Sequence, residues 1–185
     1  MASGEMGMDW PHSFRCCYHC GHPEMRRLAP SVMECLECRR HLFINPVAAV
    51  AGILLDTADR VLLIQRAKEP AKGKLSLPGG FLDPGETAEE GLAREIREET
   101  GISVTGFEYV ASFPNHYVYD GAEYMVLDLF FSARLSNFDD AAALDEVDAI
   151  HRVPITEVEL DQIAFPSVAR ALAGFREARL RPGIN

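Results

Sequence analysis

No stretch of about 18 consecutive apolar residues occurs in this chain of 185 residues, so we expect no membrane-spanning helix. No apolar segment follows the amino terminus either, which argues against a secretory signal peptide. Cations are in the minority: 18 Lys and Arg residues stand against 28 Asp and Glu residues, a formal net charge of −10. Because binding to nucleic-acid backbones depends on clustered cations, this balance argues against general nucleic-acid binding.

Cysteine is scarce, and its number is odd. Five cysteines in a chain without a secretory signal argue against a disulfide framework. Cys16 breaks the regular spacing of the others, and we interpret it as a free thiol. The remaining four form two C-x2-C pairs at close to the spacing of a structural, tetrahedral zinc site: Cys17, Cys20, Cys35 and Cys38. Thiolate ligands persist in a reducing compartment, so we expect a cytoplasmic location.

These cysteines divide the chain into three parts. We predict a disordered, polar amino terminus over residues 1–13, a zinc ribbon over 14–45 and a second domain over 46–185. The boundary follows from Asn45-Pro46, since the residue before a proline is pushed to extended geometry. About thirty residues are too few to bury a core, so bound zinc would supply the folding free energy of the ribbon.

The hydrophobic pattern of the second domain alternates between strands and helices. Strands are predicted over 47–55, 61–65, 104–113, 123–134 and 147–153, with the first two forming a hairpin. Helices are predicted over 88–100 and 167–178. This order favours an α+β domain in which a mixed sheet lies between helices.

The helix over 88–100 has clear signals at both ends. Thr87 and Glu90 form a capping box, and Gly101 is suited to end the helix in a left-handed conformation. An apolar stripe on one side of the helix would pack on a core; it consists of Ala88, Leu92 and Ile96.

Three glutamates of this helix converge on a neighbouring face. Glu95, Glu98 and Glu99 are related by i, i+3 and i+4 and fall within an arc of about 100°. Like charges so placed repel, and their clustering is explained if a hard divalent cation lies among them. Anionic oxygen ligands are those that Mg²⁺ and Mn²⁺ select. The alternative interpretation is an acidic, solvated helix face.

The glutamates belong to a longer pattern with fixed spacing. Gly80, five residues, Glu86, seven residues, Arg94-Glu95-Ile96, one residue, Glu98-Glu99, one residue and Gly101-Ile102 resembles the Nudix box at every specified position. The resemblance covers about 46–180 and implies an α/β/α sandwich with a mixed sheet. It also implies an enzyme that hydrolyses the pyrophosphate bond of a nucleoside diphosphate linked to another moiety, with Mg²⁺ or Mn²⁺.

The resemblance assigns a role to each residue of the box. The metal ligands would be Glu95, Glu98, Glu99 and the carbonyl oxygen of Gly80. Glu98 or Glu99 would orient or deprotonate the attacking water. Arg94 would hold the carboxylates in place by charge-assisted hydrogen bonds, and Glu86 would brace the loop and the helix. Metal ions suit this reaction because they neutralise the charge of the pyrophosphate and lower the pKa of bound water.

Members of this family often recruit a further acid from a later loop as a base or ligand. An acidic stretch follows the box over 139–148, and Glu146, just before the apolar Val147, is our candidate. The alternative is a solvated surface acid.

Candidate substrate contacts flank the box. The loop over 66–74 holds four cations, and among them we favour Arg66, at a strand end, as part of a phosphate clamp. Aromatic side chains would stack on an adenine or flavin ring, and the candidates are Phe81, Phe113, Tyr117, Tyr119 and Phe165. Each of these residues has an ordinary alternative, as an exposed cation or a core aromatic.

The zinc ribbon extends the resemblance to Nudix hydrolases with an amino-terminal ribbon, including the bacterial NADH pyrophosphatases. Those enzymes carry an S-Q-P-W-P-F-P-type motif after the box, and the stretch 112–119 departs from it here. The segment 160–167 is similar instead to ribbon-bearing relatives that act on FAD or ADP-ribose. We therefore expect ADP-ribose, FAD or a related dinucleotide as the substrate, with NADH as the alternative. Such relatives are often homodimers, and we expect a homodimer.

Two other classes of function stay open. A non-catalytic module would sense a nucleotide without turnover, although the complete set of box carboxylates favours an enzyme. A ribbon that contacts RNA or the transcription machinery would need an excess of cations. Its five arginines are offset by three glutamates and by the formal 2− of four thiolates with Zn²⁺, which leaves a charge of about zero.

Overall fold

A computed structural model describes residues 16–119 and 121–180; the amino terminus predicted over 1–13 lies outside them. The amino-terminal part of the described chain is a small antiparallel sheet in the order β1-β2-β3. Its strands are β1 (Met25–Ala29), β2 (Val32–Cys35) and β3 (His41–Phe43). The sulfur atoms of the four cysteines of the two C-x2-C motifs lie within 4.8 Å of one another in this part of the chain, an arrangement that matches a zinc ribbon.

The rest of the described chain forms a seven-stranded mixed sheet and two helices. The strands are β4 (Val47–Leu55), β5 (Arg60–Arg66), β6 (Leu75–Ser76), β7 (Gly79–Phe81), β8 (Glu108–Tyr119), β9 (Ala122–Arg134) and β10 (Val147–Pro154). The helices are α1 (Ala88–Thr100) and α2 (Pro166–Leu180), with short 3-10 turns at Ile155–Glu157 and Leu160–Gln162. The central order is β10-β5-β4-β9-β8, and β4 and β9 are parallel. Neither helix in the described ranges has the length and apolarity needed to cross a membrane.

The sheet carries one hydrophobic core on each face. Leu92 and Ile96 of α1 pack on one face with Phe131 of β9. Leu172 of α2 packs on the other face with Phe130, the preceding residue of the same strand. Successive strand residues point to opposite faces, so β9 serves both cores. The predicted sandwich of a mixed sheet between helices is confirmed.

Both ends of α1 follow the predicted signals. Thr87 and Glu90 form the reciprocal capping box, and Gly101 has a φ of 75° and donates its N–H to the carbonyl of Arg97. Strand β8 differs from its prediction, because it runs over 108–119 rather than 104–113. Pro114 suggests the end of a strand, yet β8 is the last strand of the sheet, where proline is tolerated.

The predicted hairpin of β4 and β5 is paired only beside its turn, at Leu55 and Val61. Farther along, β7 pairs with β4 and β6 pairs with β5. Gly80 thereby lies opposite Val50 in the antiparallel pairing. This divergence of the two strands brings the start of the box against α1.

Candidate active site

A cavity of about 360 Å³ lies where the box meets the sheet and α2. One end of the cavity is acidic and is lined by Glu95, Glu98, Glu99, Asp145 and Glu146. The other end is aromatic and is lined by Phe81, Tyr117 and Phe165. We refer to them below as the acidic end and the aromatic end.

Arg94 organises the acidic end. Its guanidinium forms a bidentate ion pair with Glu86, in which Nε donates to Oε1 at 2.7 Å and Nη2 donates to Oε2 at 2.9 Å. Nη1 donates to Glu95 Oε1 at 2.8 Å and to Glu98 Oε2 at 3.2 Å, and Nη2 also reaches the carbonyl of Phe81. These bonds lower the pKa of Glu86 to about 2 and raise the pKa of Arg94. The planar fork of an arginine suits such a role, which a lysine would not reproduce.

Glu99 is the most enclosed carboxylate of the box. Its Oε2 accepts a hydrogen bond of 2.9 Å from the N–H of Gly79. Burial raises the pKa of Glu99 to about 8, and the charge of Glu95 adds to this effect while Arg66 opposes it. Burial also raises the pKa of Glu95. A divalent cation among these groups would favour their ionised forms, so the donor set fits a hard metal ion.

Gly80 leaves the space that Glu95 occupies. A Cβ atom on this residue would lie 2.7 Å from the carboxyl carbon of Glu95. Gly79 is tighter still, because its Cβ would lie 2.0 Å from the backbone oxygen of Val50. The two glycines therefore permit the close approach of β7 to both α1 and β4.

Glu146 reaches the acidic end because its loop is bonded to the last turn of α1. The N–H groups of Ala142, Leu144 and Asp145 donate to the carbonyls of Thr100, Glu99 and Glu98, respectively. These bonds satisfy carbonyls that a helix end leaves unpaired. Glu146 has a φ of 56°, and its Oε1 accepts a bond of 2.6 Å from Lys68 Nζ.

The basic loop contributes one cation to the cavity wall. Arg66 lines the cavity, donates from Nε to the carbonyl of Pro70 at 2.8 Å, and places its guanidinium 5.0 Å from the ring centre of Phe165. Lys68 is paired with Glu146, and Lys74 reaches the carbonyl of Asp161 at 3.3 Å. Of the four predicted cations, Arg66 is the one placed between the two ends.

Three of the five candidate aromatics form the aromatic end. The ring centre of Tyr117 lies 5.5 Å from that of Phe81 and 5.6 Å from that of Phe165. Tyr119 stacks on the outer side of Tyr117 and is 55% exposed. Phe113 lies instead against the core on the α2 side of the sheet, where it contacts Phe130 and is covered by the guanidinium of Arg170.

Sequence reasoning missed Asp128, which also lines the cavity. This residue of β9 is only 8% exposed, and its Oδ2 accepts a hydrogen bond from Ser167 Oγ of α2. Burial raises the pKa of Asp128, against hydrogen bonds from Ser167 and Asn115 that lower it. A signal was present, since Asp128 stands within the apolar run Val126-Leu127-Asp128-Leu129-Phe130. A charged residue on the buried side of a strand calls for an explanation.

The cysteine cluster forms a separate candidate site. The sulfurs of Cys17 and Cys38 lie 3.7 Å apart, and those of Cys20 and Cys35 lie 3.6 Å apart. A tetrahedral zinc ion with Zn–S bonds of about 2.3 Å spaces its sulfurs by about 3.8 Å, so the four thiols fit zinc. Backbone N–H groups of Cys20 and His19 lower the pKa of the Cys17 thiol to about 6, whereas burial and the neighbouring cysteines raise the pKa of the Cys20 thiol.

Comparisons with known proteins agree with this geometry. The NUDIX domain family model matches residues 45–172. An ADP-ribose pyrophosphatase of Methanocaldococcus jannaschii is 40% identical over 78 residues, which are 42% of this chain and 46% of that protein. The NAD-capped RNA hydrolase NudC of Pseudomonas putida is 32% identical over 154 residues, 77% of this chain and 55% of that protein. The chain thus spans about half the length of the curated relatives it matches.

Solved structures share the fold. A NUDIX hydrolase from Nitrosomonas europaea superposes with a TM-score of 0.66 at 24% identity, covering 92% of this chain and 96% of that one. The NUDIX domain of Shewanella oneidensis NrtR, solved in complex with ADP ribose, superposes with a TM-score of 0.61 at 23% identity. The superposition covers 74% of this chain and 90% of the NrtR domain chain. With the family model matching more than half of the sequence, the chain belongs to the Nudix family.

Proposed function

We propose that this protein is a Mg²⁺- or Mn²⁺-dependent pyrophosphohydrolase of nucleoside diphosphates linked to another moiety. The observation that carries the proposal is the carboxylate set organised by Arg94, which faces an aromatic end across one cavity. An acidic end suits metal-assisted attack on a phosphate, and an aromatic end suits a planar ring.

The box residues would divide the work at the acidic end. The metal ligands would be Glu95, Glu98, Glu99 and the carbonyl of Gly80. Bound metal ions would neutralise the pyrophosphate charge and lower the pKa of the attacking water. Arg94 takes one oxygen each of Glu95 and Glu98, and so would orient both carboxylates. Glu98 or Glu99 would orient the water or accept its proton.

Two residues outside the box would complete the site. Glu146 lines the acidic end and would act as a further base or ligand. Arg66 stands between the two ends and would pair with a phosphate oxygen, where a guanidinium offers two parallel hydrogen bonds. The pairing of Lys68 with Glu146 would bring a second cation close to the same phosphates.

The substrate would be ADP-ribose, FAD or a related dinucleotide. Phe81, Tyr117 and Phe165 supply ring faces for an adenine or a flavin. A relative named ADP-ribose pyrophosphatase and a NUDIX domain solved with ADP ribose favour ADP-ribose as the first compound to test. NADH is the second candidate, because several relatives are named NAD-capped RNA hydrolase NudC.

The test is a substrate panel with product identification. Purified protein would be incubated with ADP-ribose, FAD, NADH, dinucleoside polyphosphates and nucleoside triphosphates, each with Mg²⁺, Mn²⁺ or a chelator. We expect AMP from ADP-ribose or FAD, dependent on the metal. Failure to hydrolyse any of these compounds with either metal would contradict the proposal. Tight binding of ADP-ribose without turnover would favour a nucleotide-sensing module instead.

The proposal also covers the predicted ribbon over 14–45. The cysteine cluster would hold one structural Zn²⁺, and a cytoplasmic location would keep its thiolates reduced. Metal analysis of the purified protein should find about one zinc per chain, and Cys35→Ser should abolish it. The homodimer stays a prediction, which a gel-filtration mass at the monomer value at all concentrations would contradict.

A further inference from the structure

Asp128 is a buried carboxyl group that the proposed hydrolysis does not use. It lies on the α2 side of the sheet, opposite Ala49 of β4 and Phe113 of β8 in the strand pairing. Two residues of the aromatic end are connected to this position: Phe81 lies opposite the same Ala49, and Phe165 lies two residues before Ser167, which donates a hydrogen bond to Asp128. Asp128 therefore stands in the cavity wall next to elements that carry the aromatic end.

The surroundings of Asp128 are costly for a carboxylate. Its hydrogen-bond partners are the neutral side chains of Ser167 and Asn115. Within residues 16–119 and 121–180, no Lys, Arg or His side chain forms an ion pair with it. A carboxyl group buried without a cation destabilises the fold, and an apolar residue would fill the strand position at lower cost. The residue is only 8% exposed, yet it still contributes to the cavity wall.

We propose that Asp128 is a specificity-determining residue that accepts a hydrogen bond from the adenosine part of the substrate. This inference rests on the proposed function, since it takes the phosphates to lie at the acidic end and a nucleoside ring at the aromatic end. The oxygens of a carboxyl group accept hydrogen bonds, so they favour N–H and O–H groups of a substrate. Adenosine is shared by ADP-ribose, FAD and NADH and carries both kinds of donor.

Selectivity follows from the penalty for an unmatched partner. A substrate with a donor at this point adds a hydrogen bond to the buried carboxyl group, whereas an analogue without the donor leaves a buried acceptor without that bond. Sites built to hydrogen-bond a substrate group reject analogues that lack the group far more strongly than apolar pockets do. The donor is either the exocyclic amine of adenine or a ribose hydroxyl, and the two sources are separated by analogues.

A purely structural role for Asp128 makes a different prediction. The bond from Ser167 Oγ ties α2 to β9, so the carboxyl group would then serve only to hold the helix. Ser167→Ala removes this tie and keeps the carboxyl group in the cavity wall. If Asp128 accepts a hydrogen bond from the substrate, Ser167→Ala should lower the melting temperature without changing the selectivity among substrate analogues.

The experiment compares wild-type, Asp128→Asn and Ser167→Ala proteins on ADP-ribose and three analogues. One analogue has hydrogen in place of the 6-amino group, and the others lack the 2′- or the 3′-hydroxyl of the adenosine. For the wild type and for Ser167→Ala, we expect one of these deletions to lower kcat/KM by about 30-fold or more. For Asp128→Asn, the same deletion should lower kcat/KM by about threefold or less. Equal losses in the wild type and in Asp128→Asn, for every analogue, would overturn the inference.

Calorimetric binding of ADP-ribose and its analogues separates this inference from the proposed function. Selective binding that depends on Asp128, without any turnover, would support the inference while the proposed function fails. Turnover in which Asp128→Asn discriminates among the analogues as strongly as the wild type would support the proposed function and overturn the inference. If the protein neither binds nor hydrolyses any of the four compounds, both the inference and the proposed function are overturned.

Discussion

The acidic end and the aromatic end of the cavity are built in different ways. Three of the five acids of the acidic end come from the single box segment, where β7 and α1 follow one another in the chain, and the other two come from the loop before β10. The aromatic end is assembled from β7, β8 and Phe165, the residue before α2, and Asp128 of β9 lines the same cavity. Under the proposed function, most of the reaction chemistry would reside in local sequence, and substrate choice would depend on the packing of distant segments. This contrast predicts that changes at the acidic end slow every substrate alike, while changes at the aromatic end alter selectivity.

The largest effect is expected at the most enclosed carboxylate of the acidic end. Glu99→Gln keeps the shape of the side chain but removes the charge, and we expect kcat to fall on the order of 10³-fold. The fall should be equal for all substrates of the panel. Steady-state kinetics would measure it, with Glu89→Gln as the matched control, because Glu89 is exposed in the first turn of the same helix. Losses that differ strongly between substrates would break the proposed division of the cavity.

Glu146 offers a smaller test at the same end. Glu146→Gln should lower kcat at least about tenfold if the carboxylate acts as a base or ligand. Because this variant also removes the partner of Lys68, Lys68→Ala serves as the comparison for loss of the ion pair alone. Near-normal turnover of Glu146→Gln would remove the residue from the site.

The aromatic end should respond in KM and not in kcat. Tyr117→Leu removes a ring that contacts both Phe81 and Phe165, and we expect KM for ADP-ribose to rise about tenfold. The matched control is Tyr109→Leu, because Tyr109 is on the same strand but contacts Phe131 in the core on the α1 side of the sheet. A loss in kcat equal to that of Glu99→Gln would show that the two ends do not act separately.

The smallest effect concerns stability in acid. Arg94 holds the pKa of Glu86 at about 2, below its unfolded value, so the pair stabilises the fold at neutral pH. The contribution is present above the unfolded pKa and is lost as the pH falls through about 2. Wild type should therefore exceed Glu86→Gln in urea midpoint at pH 7, and the difference should shrink between pH 5 and pH 2. A difference that does not change with pH would mean that the charge of Glu86 contributes nothing.

Much of the molecule follows from its local patterns. The capping residue Thr87 and the C-terminal Gly101 predict the bounds of α1, and the structure confirms them. The predicted strand 47–55 agrees with β4. Strand β8 was misplaced because Pro114 signals an ending that an edge strand does not need. Asp128 was overlooked although an acid within an apolar strand is itself a signal, because its partners Ser167 and Asn115 are known only from the packing of α2 and β8 on β9.

By itself, the sequence determined the glutamate cluster of α1 and the four-cysteine cluster, because a helix period and a C-x2-C spacing place side chains next to one another over a few residues. Only the tertiary structure decided what stands beside them. The pairing of β9 with β4 and β8 brings Asp128 to Ser167, 39 residues away, and the loop after β9 brings Glu146 to Lys68, 78 residues away. Such contacts depend on strand register and on packing between layers, which no local pattern encodes.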